Sequence, residues 1–232
     1  MNYSSEEIIE DLVHANQILA AKGIFDSFGH VSARIGPDRF LLSRNLAPGQ
    51  VTRDDLVEYD LDSEAVAGEA PRPYLERFIH GEIYRSRPDV WAIVHHHAPA
   101  MIPFGAVKTA PLKPVCHMSG FIGECAPVFE IRNAGGDDTD LLITSRDLGQ
   151  ALAKDLGEAN LVLMRGHGTT VVGPDVRTVV YRAIYGEVNA RLQLACSTLG
   201  EPTYLTAAEA RAAQVSCEGQ VHRPWQNWCA ET

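Results

Sequence analysis

The sequence predicts a single α/β domain, a three-layer α/β/α sandwich with a central, mainly antiparallel sheet. The chain has 232 residues, of which 45% are apolar, so residues 1–232 can bury one full core as one domain. Short β-branched runs and helical stripes are intermixed, without the regular strand and helix succession of a parallel sheet. The chain also lacks the G-x-G-x-x-G sequence of dinucleotide-binding folds.

The acidic composition restricts the expected partners. A net charge of -10 at pH 7 without any basic run argues against binding to nucleic acid or to an anionic membrane. Residues 1–7 lack the features of a secretory signal, and no stretch approaches 18 apolar residues, so a cytoplasmic protein is expected. The five cysteines form no C-x-x-C pair and predict free thiols. Small molecules and other proteins remain as partners.

The first part of the chain predicts a helix followed by three strands. Ser4 and Glu7 form a capping box ahead of an apolar stripe that ends near Gly23, which is typical of an amphipathic helix. Runs rich in β-branched and aromatic residues follow, the first two separated by a turn at 36–38. The predicted strands are 30–35, 39–43 and 56–61.

The rest of the chain predicts further strands and three helices. The Gly- and Pro-rich residues 68–73 precede a helix that Pro88 ends, and Ser145 caps another. Helices are predicted at about 74–87, 145–156 and 176–199. Strands are predicted at 91–97, 115–118, 127–131, 141–143 and 161–164.

Residues 216–232 are predicted to be a C-terminal tail. Arg223, Trp225 and Trp228 are unusual in a solvated segment, because large aromatic side chains gain free energy from burial. The tail is therefore expected to dock on its own chain, to pack on a neighbouring subunit or to cover the site, where Arg223 is a candidate substrate-binding residue.

Three consecutive histidines end the predicted strand 91–97. Because side chains alternate along a strand, His95 and His97 point to one face and His96 to the other. The spacing of His95 and His97 suits one metal ion, although two imidazoles need further ligands to hold it.

A further histidine, His167, follows the apolar strand 161–164 and lies between Gly166 and Gly168. Glycines permit a close backbone approach or a positive φ. Three imidazoles from two strand ends leave coordination positions open, as a catalytic site requires. We therefore predict one divalent ion per subunit, zinc or manganese in the first place and iron or cobalt as alternatives, since imidazole binds all of them.

Glu76 is the predicted carboxylate of this site. It falls in the first turn of the helix 74–87, where the helix dipole favours a negative charge. It is a candidate fourth ligand or general acid/base, and His80, one turn later, is its expected hydrogen-bond partner. The alternative is a solvated first-turn glutamate.

Taken together, these motifs resemble the class II aldolase/adducin family. The resemblance covers about residues 5–200 and rests on 28–34, Glu76, 94–98 and 163–168. It implies an α/β/α sandwich, a homotetramer with its active site at a subunit interface, and catalysis by Glu76. It also implies three metal ligands, which are His95, His97 and His167.

The chain departs from the sugar-phosphate members of that family. Their phosphate cradle has small residues where this chain has His30, Arg44, Tyr74 and Leu75. Because a phosphate cradle works through small side chains and exposed backbone N–H groups, these replacements should close it. His30, Arg44 and Tyr74 are instead suited to a planar acid. The alternatives are a surface ion pair for Arg44 and a turn hydrogen bond for His30.

His117 falls where the aldolases have a tyrosine that protonates intermediates across the subunit interface. It is therefore a candidate proton donor, although a single histidine in a loop is more often structural.

These variant motifs look most like the subgroup that decarboxylates hydroxylated aromatic dicarboxylates, such as dihydroxyphthalate or hydroxypyridine-dicarboxylate. We expect a metal-dependent decarboxylase that acts through a metal-stabilised enolate or dienolate. One alternative is an aldolase or epimerase of a sugar or sugar acid. The other is a non-catalytic adducin-like interaction module, against which the presence of all three histidines argues.

Overall fold

A seven-stranded sheet forms the centre of the computed structural model, which describes residues 4–68 and 71–232. The strands are β1 (His30–Gly36), β2 (Arg39–Ser43), β3 (Leu56–Asp60), β4 (Ala92–His96), β5 (Val128–Phe129), β6 (Leu161–Met164) and β7 (Gly168–Gly173). Their order across the sheet is β3-β2-β1-β4-β7-β6-β5. Every pair is antiparallel except the short parallel pair of β5 with β6, so the predicted mainly antiparallel sheet is confirmed.

Helices cover both faces of this sheet. They are α1 (Ser5–Ala21), α2 (Arg77–Ser86), α3 (Ile102–Ala106), α4 (Arg132–Gly135), α5 (Arg146–Leu156), α6 (Val176–Leu199), α7 (Ala207–Glu218) and α8 (His222–Glu231). Among the described residues, three short 3₁₀ helices are at Pro48–Gln50, Arg53–Asp55 and His117–Ile122.

Strand alternation divides the interior into two cores. Val94 and its same-face neighbours pack with α1, α6 and α8, whereas Ile93 and its same-face neighbours pack with α2 and α5. Adjacent residues of one strand thus belong to opposite cores. This arrangement is the predicted three-layer α/β/α sandwich.

The tail contains the end of α7 and all of α8, and it folds on its own chain. Trp225 and Trp228 of α8 are buried in the same core as α1 and α6. A capping box of Thr206 and Glu209 begins α7, and it was a sequence signal for a helix that our prediction missed. Packing of 216–232 on a neighbouring subunit stays a prediction.

The predicted strands 115–118 and 141–143 are wrong. The N–H of Val115 donates to the side chain of Asn189 in α6, and a 3₁₀ helix begins at His117, so a tertiary contact takes the place of a strand partner. Leu141 has a φ of 73°, and the N–H of Ile143 donates to Glu76. Of the strand predicted at 127–131, only Val128–Phe129 pairs in the sheet.

One helix boundary and one whole strand also differ from the prediction. Helix α2 begins at Arg77, so Glu76 is its N-cap residue and not part of its first turn. Strand β7 was not predicted, although its β-branched run, residues 169–172, is a strand signal. Residues 69 and 70 of the predicted 68–73 loop, and 1–3 of the N-terminal segment, lie outside the described residues.

Within the described part of the chain, no helix combines the length and apolar character needed to cross a membrane.

Candidate metal centre

Strand β4 supplies the first two histidines of the site. His95 is fully buried, and His97 follows two residues later, just past the end of the strand. His96 lies between them and is also buried, with its Nδ1 accepting a hydrogen bond from the N–H of Ala98. Alternation therefore separates His96 from the pair, as the sequence predicted.

The turn between β6 and β7 supplies His167. Gly166 has a φ of 69°, a conformation that glycine adopts without strain. A Cβ at Gly168 would lie 2.3 Å from the carbonyl oxygen of His96 and 2.8 Å from Cδ2 of His97. The two strand ends can therefore approach this closely only because residue 168 has no side chain.

Three imidazole nitrogens and one carboxylate converge at these strand ends. The Nε2 atoms of His95 and His97 are 3.1 Å apart, and those of His97 and His167 are 3.0 Å apart. Glu76 Oε2 is 3.5 Å from Nε2 of His95 and 3.6 Å from Nε2 of His167. The four ligand atoms all lie within 4.8 Å of one another. Ligand atoms of a tetrahedral zinc site are about 3.3 Å apart, so the donor set fits one divalent ion.

A neighbouring threonine orients the ring of His95. Thr170 donates to the sulfur of Met164, and its oxygen is 3.3 Å from Nδ1 of His95. This arrangement places the imidazole proton of His95 on Nδ1 and leaves the lone pair of Nε2 for a metal ion. Such a bond to the outer nitrogen is usual for histidine ligands.

Burial sets the charges of the site. It raises the pKa of Glu76 to about 7, with Asp140 adding to the rise and the hydrogen bond from Ile143 opposing it. Burial is also the largest cause that lowers the pKa of His167 to about 4 and that of His95 well below its usual value. The histidines are therefore neutral at pH 7, which is the form that binds metals.

Glu76 reaches the histidines from the N-terminus of α2. Its Oε1 accepts a hydrogen bond of 3.0 Å from the N–H of Ile143, while Oε2 faces the histidines, and the residue is buried. The alternative of a solvated glutamate is therefore excluded. The expected partnership with His80 is wrong, because His80 bonds to His30 and Ser32 instead.

His30 and Tyr74 lie beside the histidines. His30 is opposite His95 in the β1–β4 register, and their ring centroids are 5.1 Å apart. The ring of Tyr74 is 4.7 Å from that of His30, and its hydroxyl donates to the carbonyl of Leu46. Leu75, next to Tyr74, is exposed.

Phe28 is a neighbour of the site that sequence reasoning missed. Its ring centroid is 6.5 Å from that of His97, although 66% of the residue is exposed. An aromatic residue directly before Gly29 and His30 was the available signal.

Arg44 is half-buried at the end of β2. Its Nε donates to Asp55 at 2.7 Å, so the ion pair that the sequence offered as the alternative is present. No described residue bonds to its two terminal nitrogens. Its charge also lowers the pKa of Tyr74, although burial dominates and raises that pKa. The Tyr74 hydroxyl donates to the carbonyl of Leu46, two residues after Arg44, so Arg44 lies on the Tyr74 side of the site.

His117 and Arg223 lie together but apart from the histidines. Both are exposed, and both line a cavity of about 610 Å³ with Tyr181, Tyr185 and Trp228. None of the four residues of the metal centre lines this cavity. Within one chain, the structure does not bring His117 or Arg223 to the metal centre.

The chemistry of such a centre follows from its ligands. Because the three imidazole ligands are neutral, a bound divalent ion would keep its full positive charge. Coordination positions would also stay open for a substrate oxygen. A cation there stabilises negative charge that develops on an adjacent oxygen. The site is suited to reactions that break a C–C bond beside such an oxygen.

Comparison with known proteins places this site in context. The Class II Aldolase and Adducin N-terminal domain matches residues 10–194. The decarboxylase tropJ of Talaromyces stipitatus is 35% identical over 257 residues, covering 100% of this chain and 96% of that protein. A 3,4-dihydroxyphthalate decarboxylase of Arthrobacter keyseri is 29% identical, covering 82% of this chain and 79% of that one. The structure of an L-fuculose 1-phosphate aldolase has the same fold, with a TM-score of 0.76 at 20% identity, covering 93% of this chain and 98% of that one.

Proposed function

The chain belongs to the class II aldolase and adducin family, and we propose that it is a metal-dependent decarboxylase of a hydroxylated aromatic mono- or dicarboxylate. The observation that carries this proposal is the convergence of three histidine Nε2 atoms with the carboxylate of Glu76. The likeness to decarboxylases over most of the chain supports loss of CO₂ rather than aldol cleavage.

His95, His97 and His167 would hold the ion, and Glu76 would face its open side. When bound, the ion supplies a Lewis acid that stabilises the electron pair left when the C–C bond to the carboxyl group breaks. Burial raises the pKa of Glu76, whereas a bound divalent ion would lower it, and the carboxyl group is a candidate carrier of the proton that the reaction needs. It would deliver that proton from its carboxyl oxygen to the ring carbon that CO₂ has left, and would then regain a proton from water.

The residues around the centre would position the ring. Tyr74 and His30 offer flat faces next to His95, and the exposed Phe28 stands on the His97 side. Arg44 keeps its two terminal nitrogens free of described partners. These nitrogens would bind the carboxylate that stays on the substrate.

We extend the proposal to a homotetramer in which His117 and Arg223 act on the site of a neighbouring subunit. Within one chain they line a cavity apart from the metal centre, so they could take part only from a neighbouring subunit. His117 would then be an additional proton donor and Arg223 an additional carboxylate ligand.

The reaction class is tested with two substrates and two products. We expect the purified protein, loaded with zinc or manganese, to release CO₂ from 3,4-dihydroxyphthalate and no aldehyde from L-fuculose 1-phosphate. Efficient aldehyde release from the sugar phosphate would contradict the decarboxylase proposal and indicate an aldolase. A protein that binds none of zinc, manganese, iron and cobalt would instead favour a non-catalytic module.

Arg44→Lys is expected to raise KM for 3,4-dihydroxyphthalate with little change in kcat. Lysine keeps the charge that pairs with Asp55, so the fold should be preserved, but it cannot reproduce two parallel N–H bonds to a carboxylate. The expected loss of binding free energy is on the order of 1.5–3 kcal/mol. Steady-state kinetics measure the effect.

Arg39→Lys, on the same strand, is the matched control. Arg39 pairs with Asp38 and Glu58 at the surface, so its replacement should leave KM unchanged. An Arg44→Lys enzyme with the KM of the parent protein would remove Arg44 from the substrate site.

A further inference from the structure

Four polar side chains form a buried row that ends beside the metal centre. Tyr84 Oη is 2.8 Å from Ser32 Oγ, which is 2.6 Å from Nδ1 of His80. Nε2 of His80 is in turn 2.7 Å from Nδ1 of His30. None of the four residues is more than 3% exposed. The proposed reaction leaves three of them, Tyr84, Ser32 and His80, without a function.

The row is built from matched backbone spacings. His30 and Ser32 lie two residues apart on one face of β1, which separates them by about 6.6 Å. His80 and Tyr84 lie four residues apart on one face of α2, a rise of about 6 Å. The spacing of the two strand residues therefore matches the spacing of the two helix residues. This match lets the four side chains form hydrogen bonds across the interface between β1 and α2.

Counting protons gives the row a direction. Among the described residues, Ser32 is the one hydrogen-bond partner of the Tyr84 hydroxyl, so this buried O–H is satisfied only if it donates to Ser32. Ser32 has one proton, which it then gives to Nδ1 of His80. A neutral His80 carries its own proton on Nε2 and donates it to Nδ1 of His30.

The opposite direction leaves a buried proton without an acceptor. If His80 donated to Ser32 and Ser32 to Tyr84, the Tyr84 O–H would have no described acceptor. If Tyr84 and His80 both donated to Ser32, the Ser32 O–H would have none. A buried, unpaired donor is costly. In the preferred direction the last proton lies on Nε2 of His30, which is not one of the fully buried polar atoms without a partner and can therefore donate to water or to a ligand.

We propose that Tyr84, Ser32 and His80 are positioning residues that hold His30 as the neutral tautomer protonated on Nε2. Nδ1 of His30 is occupied by His80, and no described residue bonds to its Nε2, so Nε2–H is the free edge beside His95. His30 is then a hydrogen-bond donor and neither a base nor a metal ligand.

The tautomer of His30 determines which substrate group this residue can bind. This conclusion about the substrate rests on the proposed function. An N–H donor next to the metal centre requires an acceptor oxygen, which is a carboxylate, a carbonyl or a phenolate. The oxygen of a neutral phenol or an alcohol is a weaker hydrogen-bond acceptor, and its own O–H group would also need an acceptor. The row therefore favours the ionised acid or phenolate form of the ring substrate.

The test reads the tautomer directly. Full-length protein labelled with ¹⁵N-histidine and loaded with zinc gives imidazole nitrogen shifts that distinguish protonated from unprotonated nitrogens. A His30→Asn variant identifies the signals of His30, and a His80→Gln variant those of His80. We expect protonated Nε2 and unprotonated Nδ1 at both residues. A proton on Nδ1 of His30, or a doubly protonated ring, would overturn the proposal.

Ser32→Ala tests the positioning itself. It removes the proton donated to His80, so we expect the His30 signals to change to those of mixed tautomers and KM for 3,4-dihydroxyphthalate to rise about tenfold, with kcat changed less. Thr169→Val is the matched control, since Thr169 is a buried strand residue whose hydroxyl has no partner in the described structure. Unaltered tautomer signals in Ser32→Ala would contradict the assignment.

Failure of this inference is separable from failure of the proposed function. The nitrogen shifts of the parent protein need no turnover, and they stay informative if Ser32→Ala does not fold. A protein that has the predicted tautomer but releases no CO₂ would support the tautomer assignment and contradict the proposed decarboxylation.

Discussion

His95→Ala, His97→Ala and His167→Ala are each expected to give a folded protein without bound metal and with nearly all activity lost. Each change removes one of three converging Nε2 atoms, and two imidazoles hold a divalent ion only weakly. The loss of metal affinity should exceed ~100-fold, because a loss of ~100-fold is already possible when only a residue that hydrogen-bonds to a metal ligand is removed. Metal content after gel filtration and CO₂ release are the measurements.

His96→Asn is the matched control for these variants. His96 is adjacent in sequence but faces the other core, and asparagine keeps an acceptor for the N–H of Ala98. Its metal content should equal that of the parent protein. Full metal occupancy in any of the three alanine variants would remove that histidine from the centre.

Glu76→Gln is expected to lower kcat by ~10²–10⁴, the usual effect of losing a general acid or base. Glutamine can still accept the hydrogen bond from Ile143, so the local structure should persist, but an amide cannot deliver a proton. KM should change little. Single-turnover measurement of ring protonation, with the metal content determined in the same sample, separates this effect from loss of metal.

Glu82→Gln provides the comparison on the same helix. Glu82 is also a buried carboxylate, but it pairs with Arg146, so its replacement should affect stability and leave kcat unchanged. Parent-like turnover by Glu76→Gln would assign proton transfer to another group, with His117 the next to replace.

Local rules account for the part of the centre that the sequence predicted. Strand alternation at 95–97 depends only on the extended backbone, and the structure has His95 and His97 on one side and His96 on the other. Likewise the capping box of Ser4 and Glu7 begins α1 as predicted. Such features need no knowledge of distant residues.

The errors occur where distant residues decide the structure. The N–H of Val115 is satisfied by Asn189, 74 positions later, and no local pattern reveals that partner. His80 lies one turn after Glu76, which suggested a contact along the helix. It bonds to His30, 50 positions earlier, because α2 lies across β1. Sheet order and helix docking thus determined what sequence spacing could not.

The close approach at Gly168 has a consequence for the evolution of this chain. Any side chain there would collide with the backbone of His96 and the ring of His97, so a substitution would displace a residue of the metal centre and could not simply reshape the pocket. By contrast, Leu75 is 59% exposed and can vary without such a collision. Divergence toward new substrates, in nature or by directed evolution, should therefore proceed through exposed residues around the centre, such as Leu75, while Gly168 stays fixed although it has no functional group.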